Sequence, residues 1–248
     1  MYPYIHLIIP SYAAMALIGG LVSITYAFFR IDKYDVQFTD FLKILLFGSI
    51  GVLLGSKILF VITKIPWLLK NFTISNMLLL IPESGYVFYG GLFGFIFIIY
   101  MITKSDNEYR KKLYMLFVPI FPLFHVFGRI GCFLAGCCYG KKLNTIFVVL
   151  NIEIDTVPIQ LIEALLELFI FLIICVVENH KEDINLLEIY LLLYASVRFV
   201  LEFFRGDEIR GMFYGLSTSQ WISIVIVLFY LIKNIGFLWK KSKWLCQK

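Results

Sequence analysis

The chain has 248 residues, 60% of them hydrophobic and only 16% charged, with a net charge of +5 and a mean hydropathy of +0.87. That balance excludes a soluble globular domain and points to an integral membrane protein. The excess positive charge sits in loops and tail, so it gives no case for a nucleic-acid partner.

Apolar runs long enough to cross about 30 Å of hydrocarbon as helices lie near residues 9–29, 41–63, 86–103, 113–136, 159–177, 187–204 and 219–239. Lipid offers no water to unpaired backbone groups and the runs lack the alternation of a barrel, so helices are the expectation. The fold class is therefore all-α and polytopic: one domain of seven transmembrane helices over residues 1–248, with a small extracytoplasmic segment around 141–157. Residues 1–10 carry no basic region and no small-residue cleavage site, so they do not read as a removable signal peptide. Arg30 and Lys33, then Lys104, Arg110, Lys111 and Lys112, then Lys240, Lys241, Lys243 and Lys248 mark one side as cytoplasmic, which puts the N-terminus outside and the C-terminus inside.

In chain order, Tyr12 falls at the outer end of the first span, where a tyrosine ordinarily anchors at headgroup level. The second span has Gly48, Gly51, Gly55 and Ser56 at helix-packing spacing, and Lys57, whose favoured reading is snorkelling to the outer interface, with approach to an anion the alternative. Residues 64–85 leave the membrane on the outer side, with an interfacial segment at 77–81 too short to span. The third span opens with Tyr89-Gly90-Gly91, where the glycines permit close approach.

The fourth span ends in His125-Val-Phe-Gly-Arg129-Ile-Gly-Cys132-Phe-Leu-Ala-Gly-Cys137-Cys138-Tyr-Gly140, after a kink at Pro119 and Pro122. Desolvating a guanidinium in hydrocarbon costs several kcal/mol, so Arg129 faces protein, water or an anion. His125, Arg129, Cys132 and Gly136 recur at helical spacing and share one face. A glycine-packed interface with a structurally paired arginine is the plain alternative. Residues 145–155 alternate as a short hairpin.

Span five enters at Pro158, with Gln160, Glu163 and Glu167 directed toward protein or water. Span six carries Arg198, Glu202 and Arg205 at i, i+4 and i+7, which on a continuous helix share one face. One carboxylate against two arginines leaves positive charge over, and a guanidinium fork suits phosphate oxygens. A self-satisfied ion network is the competing reading. Span seven starts at Ser217-Thr218-Ser219-Gln220, a capping sequence.

The loop charges alone thus gather Tyr12, Tyr89, Arg129, Cys137, Gln160, Glu163, Arg205 and Gln220 in the outer half of the membrane. One cationic cavity, reached through lipid and sized for an anionic phospholipid headgroup, is the expectation.

These motifs resemble the bacterial phosphatidylglycerol:prolipoprotein diacylglyceryl transferases. Gly128, Arg129, Gly131, Phe133 and Gly140 match that family's glycine-arginine signature, Pro158, Gln160, Leu161, Glu163 and Ala164 a second motif, and Arg198, Phe199, Glu202, Phe203 and Arg205 a third. Cys132, Ala135 and Cys137 stand where the family has two asparagines and a glutamate, and Tyr89 stands in place of its histidine. The resemblance implies transfer of a diacylglyceryl group from phosphatidylglycerol to the lipobox cysteine in the signal peptide of a preprolipoprotein, in the bacterial cytoplasmic (inner) membrane, with membrane lipid around it. The candidate catalytic residues are Tyr12, Tyr89, His125, Arg129, Cys137 and Glu202; the candidate substrate-binding residues are Arg129, Gly140, Gln160, Glu163, Arg198 and Arg205. No cofactor and no metal is expected, since Cys132-x4-Cys137-Cys138 is not a usual structural-zinc spacing; an oxidised pair or small packed thiols are the other readings. The departures keep two alternatives open: a phospholipid-dependent transferase with another acceptor, and a non-catalytic lipid-binding or redox membrane protein.

Overall fold

A computed structural model describes residues 4–5, 9–70, 73, 86–149, 152–180, 184–206 and 212–246. Two short strands, β1 (Tyr4–Ile5) and β2 (Ile9–Pro10), pair antiparallel ahead of helix α1 (Ser11–Phe28). There follow α2 (Phe38–Lys70), α3 (Phe88–Ile102), α4 (Asn107–Phe117) and α5 (Ile120–Ala135). The hairpin β3 (Lys142–Val149) and β4 (Ile152–Thr156) precedes α6 (Ile159–His180) and α7 (Leu186–Leu201). A last pair, β5 (Met212–Phe213) and β6 (Leu216–Ser217), leads into α8 (Thr218–Cys246).

Among the described residues, four helical segments are long and apolar enough to cross a membrane: Ser11–Phe28, Phe38–Ile65, Asn107–Ala135 and Ile159–His180. The other three expected spans fall on α3, α7 and α8, whose apolar stretches are shorter. At 1.5 Å per residue, the 15 residues of α3 extend only about 22 Å. The kink expected at the prolines appears as the break between α4 and α5, with Pro119 at the N-cap. Helix α2 runs on to Lys70, farther than the span predicted for it. The interfacial segment expected at 77–81 lies outside the described residues.

Glycines set the closest helix contact. A Cβ on Gly55 would lie 2.2 Å from the Gly90 carbonyl oxygen, and one on Gly94 would lie 2.0 Å from that of Gly51. The two i, i+4 glycine pairs of α2 and α3 therefore bring backbone against backbone, as small residues do between helices in lipid. Helix α1 packs on α5 with glycines set against side chains, Gly19 against Phe127 and Gly131 against Tyr12 and Met15.

The exterior is apolar, and the interior combines an apolar core with a group of buried charged and polar side chains that a soluble protein would leave at its surface. Leu17, Leu53, Phe97, Leu165 and Val225 are exposed, whereas Arg129, His125, Gln160, Glu163, Glu167, Arg198 and Arg205 are buried. An aromatic core of Tyr89, Tyr190 and Tyr194 with Leu92, Ile170 and Ile174 lies beneath these polar groups.

Ion pairs tie one end of the bundle together. Glu178, near the end of α6, takes Arg30, Lys33 and the Tyr34 hydroxyl, and Lys112 reaches Asp35 at 3.0 Å. Burial and the Glu178 contact push the Tyr34 phenol above its ordinary pKa. The opposite end carries the β3–β4 hairpin and the junction that frames the site.

Candidate functional site

Helix α5 closes with Gly136 in the left-handed region (φ 73°), while Gly136 N–H donates to Phe133 O at 3.2 Å and Cys137 N–H to Cys132 O at 3.1 Å. This is a Schellman cap, in which a glycine spares the strain a side chain would meet. Gln160, the second residue of α6, donates through Nε2 to the Cys137 carbonyl at 2.7 Å and holds the loop that follows α5.

Three segments then meet at Gly140. Its N–H donates to Val157 O (3.1 Å), Lys141 N–H donates to Phe204 O (2.9 Å) and Gly206 N–H donates to Tyr139 O (3.1 Å). A Cβ on Gly140 would stand 2.5 Å from Val157 O, so only glycine fits this crossing. Gly140, expected to bind substrate, is thus a backbone joint that registers the loops before α6 and after α7.

The charged cluster lies on α5, α6 and α7. Arg129 donates from Nη2 to Glu163 Oε1 at 2.8 Å and from Nε to His125 Nε2 at 3.1 Å. Arg198 Nη1 reaches the same carboxylate at 3.3 and 3.4 Å, and its Nη2 donates to Glu202. Glu163 is 1% exposed, Arg198 2% and Arg129 8%. Because Nε2 of His125 accepts from Arg129, the ring proton belongs on Nδ1, which faces Glu167 Oε1 at 3.0 Å. Phe88 stacks flat on the imidazole, ring centres 4.1 Å apart and 9° from parallel.

Two expectations need correction. The cluster is not a bare cationic pocket: Glu163 stands between the two arginines and Glu202 takes the far side of Arg198. Nor do Arg198, Glu202 and Arg205 share one helical face, because α7 stops at Leu201 and a short 3-10 turn, Glu202–Phe204, follows it. Arg205 is extended (ψ 144°), bridges to Gly140 and is buried. It comes into the region through the junction and not along the helix.

Tyr89 lies deeper. Ser223 donates to the Ser219 carbonyl at 2.9 Å, so the Tyr89 hydroxyl, 2.7 Å from Ser223 Oγ, is the donor in that pair. Tyr12 is 47% exposed, with its backbone and ring against Gly131. Gln220 is engaged in capping: Ser217 N–H donates to Gln220 Oε1 (2.9 Å) and Gln220 N–H to Ser217 Oγ (3.2 Å). That reciprocal pair is a capping box and accounts for the Ser-x-x-Gln spacing.

Glu167 is the residue missing from the expected set. Its spacing of four from Glu163 was the available signal, and Tyr190, Tyr194 and Arg198 repeat that spacing on α7. The sulfur atoms of Cys132, Cys137 and Cys138 lie within 4.8 Å of one another, and none is in a disulfide. Cys132 is buried and Cys137 exposed. His125, Glu163 and Glu167 also converge within 4.8 Å; Glu163 and His125 Nε2 engage the arginines, whereas His125 Nδ1 and both Glu167 carboxylate oxygens are buried without a hydrogen-bond partner among the described residues.

Residues 3–235 match the family described as prolipoprotein diacylglyceryl transferase. The phosphatidylglycerol–prolipoprotein diacylglyceryl transferase of Clostridium tetani is 32% identical over 228 residues, covering 88% of this chain and 89% of the relative. Enzyme 2 of that description from Clostridium perfringens is 32% identical over 187 residues, 72% of each chain. The Idiomarina loihiensis relative is 28% identical over 226 residues, covering 86% of this chain and 84% of its own.

Proposed function

The chain belongs to the prolipoprotein diacylglyceryl transferase family, and from that premise we propose how its buried arginines carry out the transfer. It is a multi-pass membrane transferase of lipoprotein biogenesis that moves a diacylglyceryl group from phosphatidylglycerol to prolipoproteins. The acceptor is the lipobox cysteine of the signal peptide. Its sulfur attacks the glyceryl carbon bonded to the phosphate oxygen, the carbon–oxygen bond breaks, a thioether forms and glycerol phosphate leaves.

Charge develops on the departing phosphate ester, so guanidinium donors fixed beside it lower the barrier most. The observation that carries this reading is the convergence of Arg129 and Arg198 on Glu163, with Arg205 brought in at the Gly140 junction. Buried, hydrogen-bonded guanidiniums need no reorganisation when the phosphate develops charge. Glu163, His125 and Glu202 orient them: His125 holds Arg129 Nε, and Glu202 holds Arg198 Nη2. Gln160 and Gly140 keep the loop over the cluster, and Tyr12 lines its edge on α1.

Seven crossings with the N-terminus outside fit this arrangement. The loops rich in Lys and Arg meet at one end through Glu178 and Asp35, which the cytoplasmic leaflet favours. The hairpin and the Gly140 junction then form the small extracytoplasmic segment around 141–157, in the cytoplasmic membrane of a bacterium.

The test is to incubate purified protein with phosphatidylglycerol and a lipobox peptide. The peptide cysteine should gain the mass of a diacylglyceryl group as glycerol phosphate appears. Lipid turnover without peptide modification would indicate another acceptor, and neither product would overturn the reading.

A further inference from the structure

The transfer needs a thiolate at neutral pH, because the thiol itself is a poor nucleophile. Of the candidate catalytic side chains, His125 and Tyr89 could take a proton, and neither presents a free acceptor for one. His125 Nε2 accepts from Arg129, its Nδ1 proton faces Glu167, and the Tyr89 hydroxyl donates to Ser223. Resting on the transfer reading, we propose that Cys132, Cys137 and Cys138 form a three-thiolate site for a soft d10 cation, Zn2+, whose open fourth position takes the acceptor cysteine.

Geometry answers the spacing objection. Consecutive cysteines rarely aim at one point, but the chain reverses here: Gly136 (φ 73°) and Cys138 (φ 57°) are both left-handed and flank Cys137. The Gln160 bond to the Cys137 carbonyl fixes that reversal. A Zn–S bond of about 2.3 Å places tetrahedral sulfur ligands roughly 3.8 Å apart, and sulfur atoms already within 4.8 Å close that gap with small side-chain rotations. Exposure is graded, with Cys132 at 8% and Cys137 open to the outside, so the inner edge is shielded and the outer edge is accessible. Three protein ligands with a vacant fourth position is the pattern of a catalytic zinc site.

Charge supports the same occupant. Zn2+ with three thiolates carries a net negative charge, and two buried guanidiniums flank the loop: Arg129, one turn before Cys132 on α5, and Arg205, bridged to Gly140. Soft sulfur donors select zinc over hard cations. A thiol that coordinates the metal gives up its proton, here to water at the outer surface. Its sulfur then uses a lone pair to bond the glyceryl carbon, and the electron pair of the broken carbon–oxygen bond leaves with glycerol phosphate. The thioether product is a weaker ligand than the thiolate, so it is released.

Full-length protein in detergent, prepared without chelator, tests this by zinc content and by Co2+ exchange. The expected results are about one zinc per chain, a sulfur-to-cobalt charge-transfer band with tetrahedral ligand-field bands, and a change in those bands when lipobox peptide is added but not when its cysteine is serine. Cys132→Ser and Cys138→Ser should each lower zinc affinity on the order of 100-fold, while Cys175→Ser leaves it unchanged. Zinc uptake indifferent to both cysteine variants would overturn the proposal. So would two thiols that react only after reduction, cobalt bands blind to the peptide thiol, or metal-free protein that transfers at full rate. If the bands respond to the peptide thiol and no glycerol phosphate is released, the transfer reading fails and the metal site stands.

Discussion

Glu163→Gln separates the two jobs of the charged cluster, because it removes one negative charge while keeping the volume. The Arg129–Glu163 contact at 2.8 Å corresponds to roughly 6 kcal/mol of attraction at an effective dielectric near 20, and desolvation offsets much of it. Removing one partner of a buried ion pair typically costs about 3–5 kcal/mol. The lower end applies to Arg129, since the amide oxygen still accepts from it. The amide nitrogen, however, turns donor against donor toward Arg198, whose contacts to both carboxylate oxygens are 3.3 and 3.4 Å. The expected loss is about 3 kcal/mol, or roughly 6–12 °C in melting temperature by the scaling for chains of this size. A phosphate between the two guanidiniums restores the missing charge. At a hundredfold excess over its Kd, phosphatidylglycerol stabilises the protein that binds it by about 2.7 kcal/mol; it should raise the variant's melting temperature more than the parent's, and phosphatidylcholine should not. Thermal unfolding in detergent with each lipid reads this directly. Equal shifts from the two lipids, or no loss of stability without them, would refute a phosphate site at these arginines.

Arg198→Lys should lower the turnover number about 100-fold in the glycerol phosphate assay, because one ammonium cannot hold Glu163 and Glu202 together while facing the leaving phosphate. Arg129→Ala should abolish turnover, and retained activity would remove Arg129 from the mechanism. Gly140→Ala drives a methyl group to 2.5 Å from the Val157 carbonyl; it should destabilise by about 1–3 kcal/mol and reduce activity, seen as earlier unfolding and slower transfer. Ser217→Ala breaks the capping box of α8 at about 1 kcal/mol, with stability lowered in the same unfolding experiment and transfer rate unchanged.

What the sequence made legible follows from how strongly lipid penalises exceptions. Arg129, Gln160, Glu163 and Arg198 stand out in apolar runs because a buried polar group there needs a partner, and the structure joins Arg129, Glu163 and Arg198 in one cluster while Gln160 holds the adjoining loop. Composition could not say that Glu163 would bridge the arginines, because charge counting along α7 paired Glu202 against two arginines without the carboxylates of a neighbouring helix. The i, i+4, i+7 argument for Arg205 failed for a local reason. It presumed a continuous helix, yet the helix ends at Leu201, where the Gly140 junction draws Gly206 and Phe204 into backbone hydrogen bonds. The cysteine spacing likewise did not show that the sulfur atoms of Cys132, Cys137 and Cys138 would lie within 4.8 Å of one another, because two left-handed residues fold the chain back there. For Arg205 the missing information was the crossing of distant segments at Gly140, and for the cysteines the local reversal at Gly136 and Cys138. The glycines of the signature therefore determine the site as much as its charged residues do: they decide which charges meet.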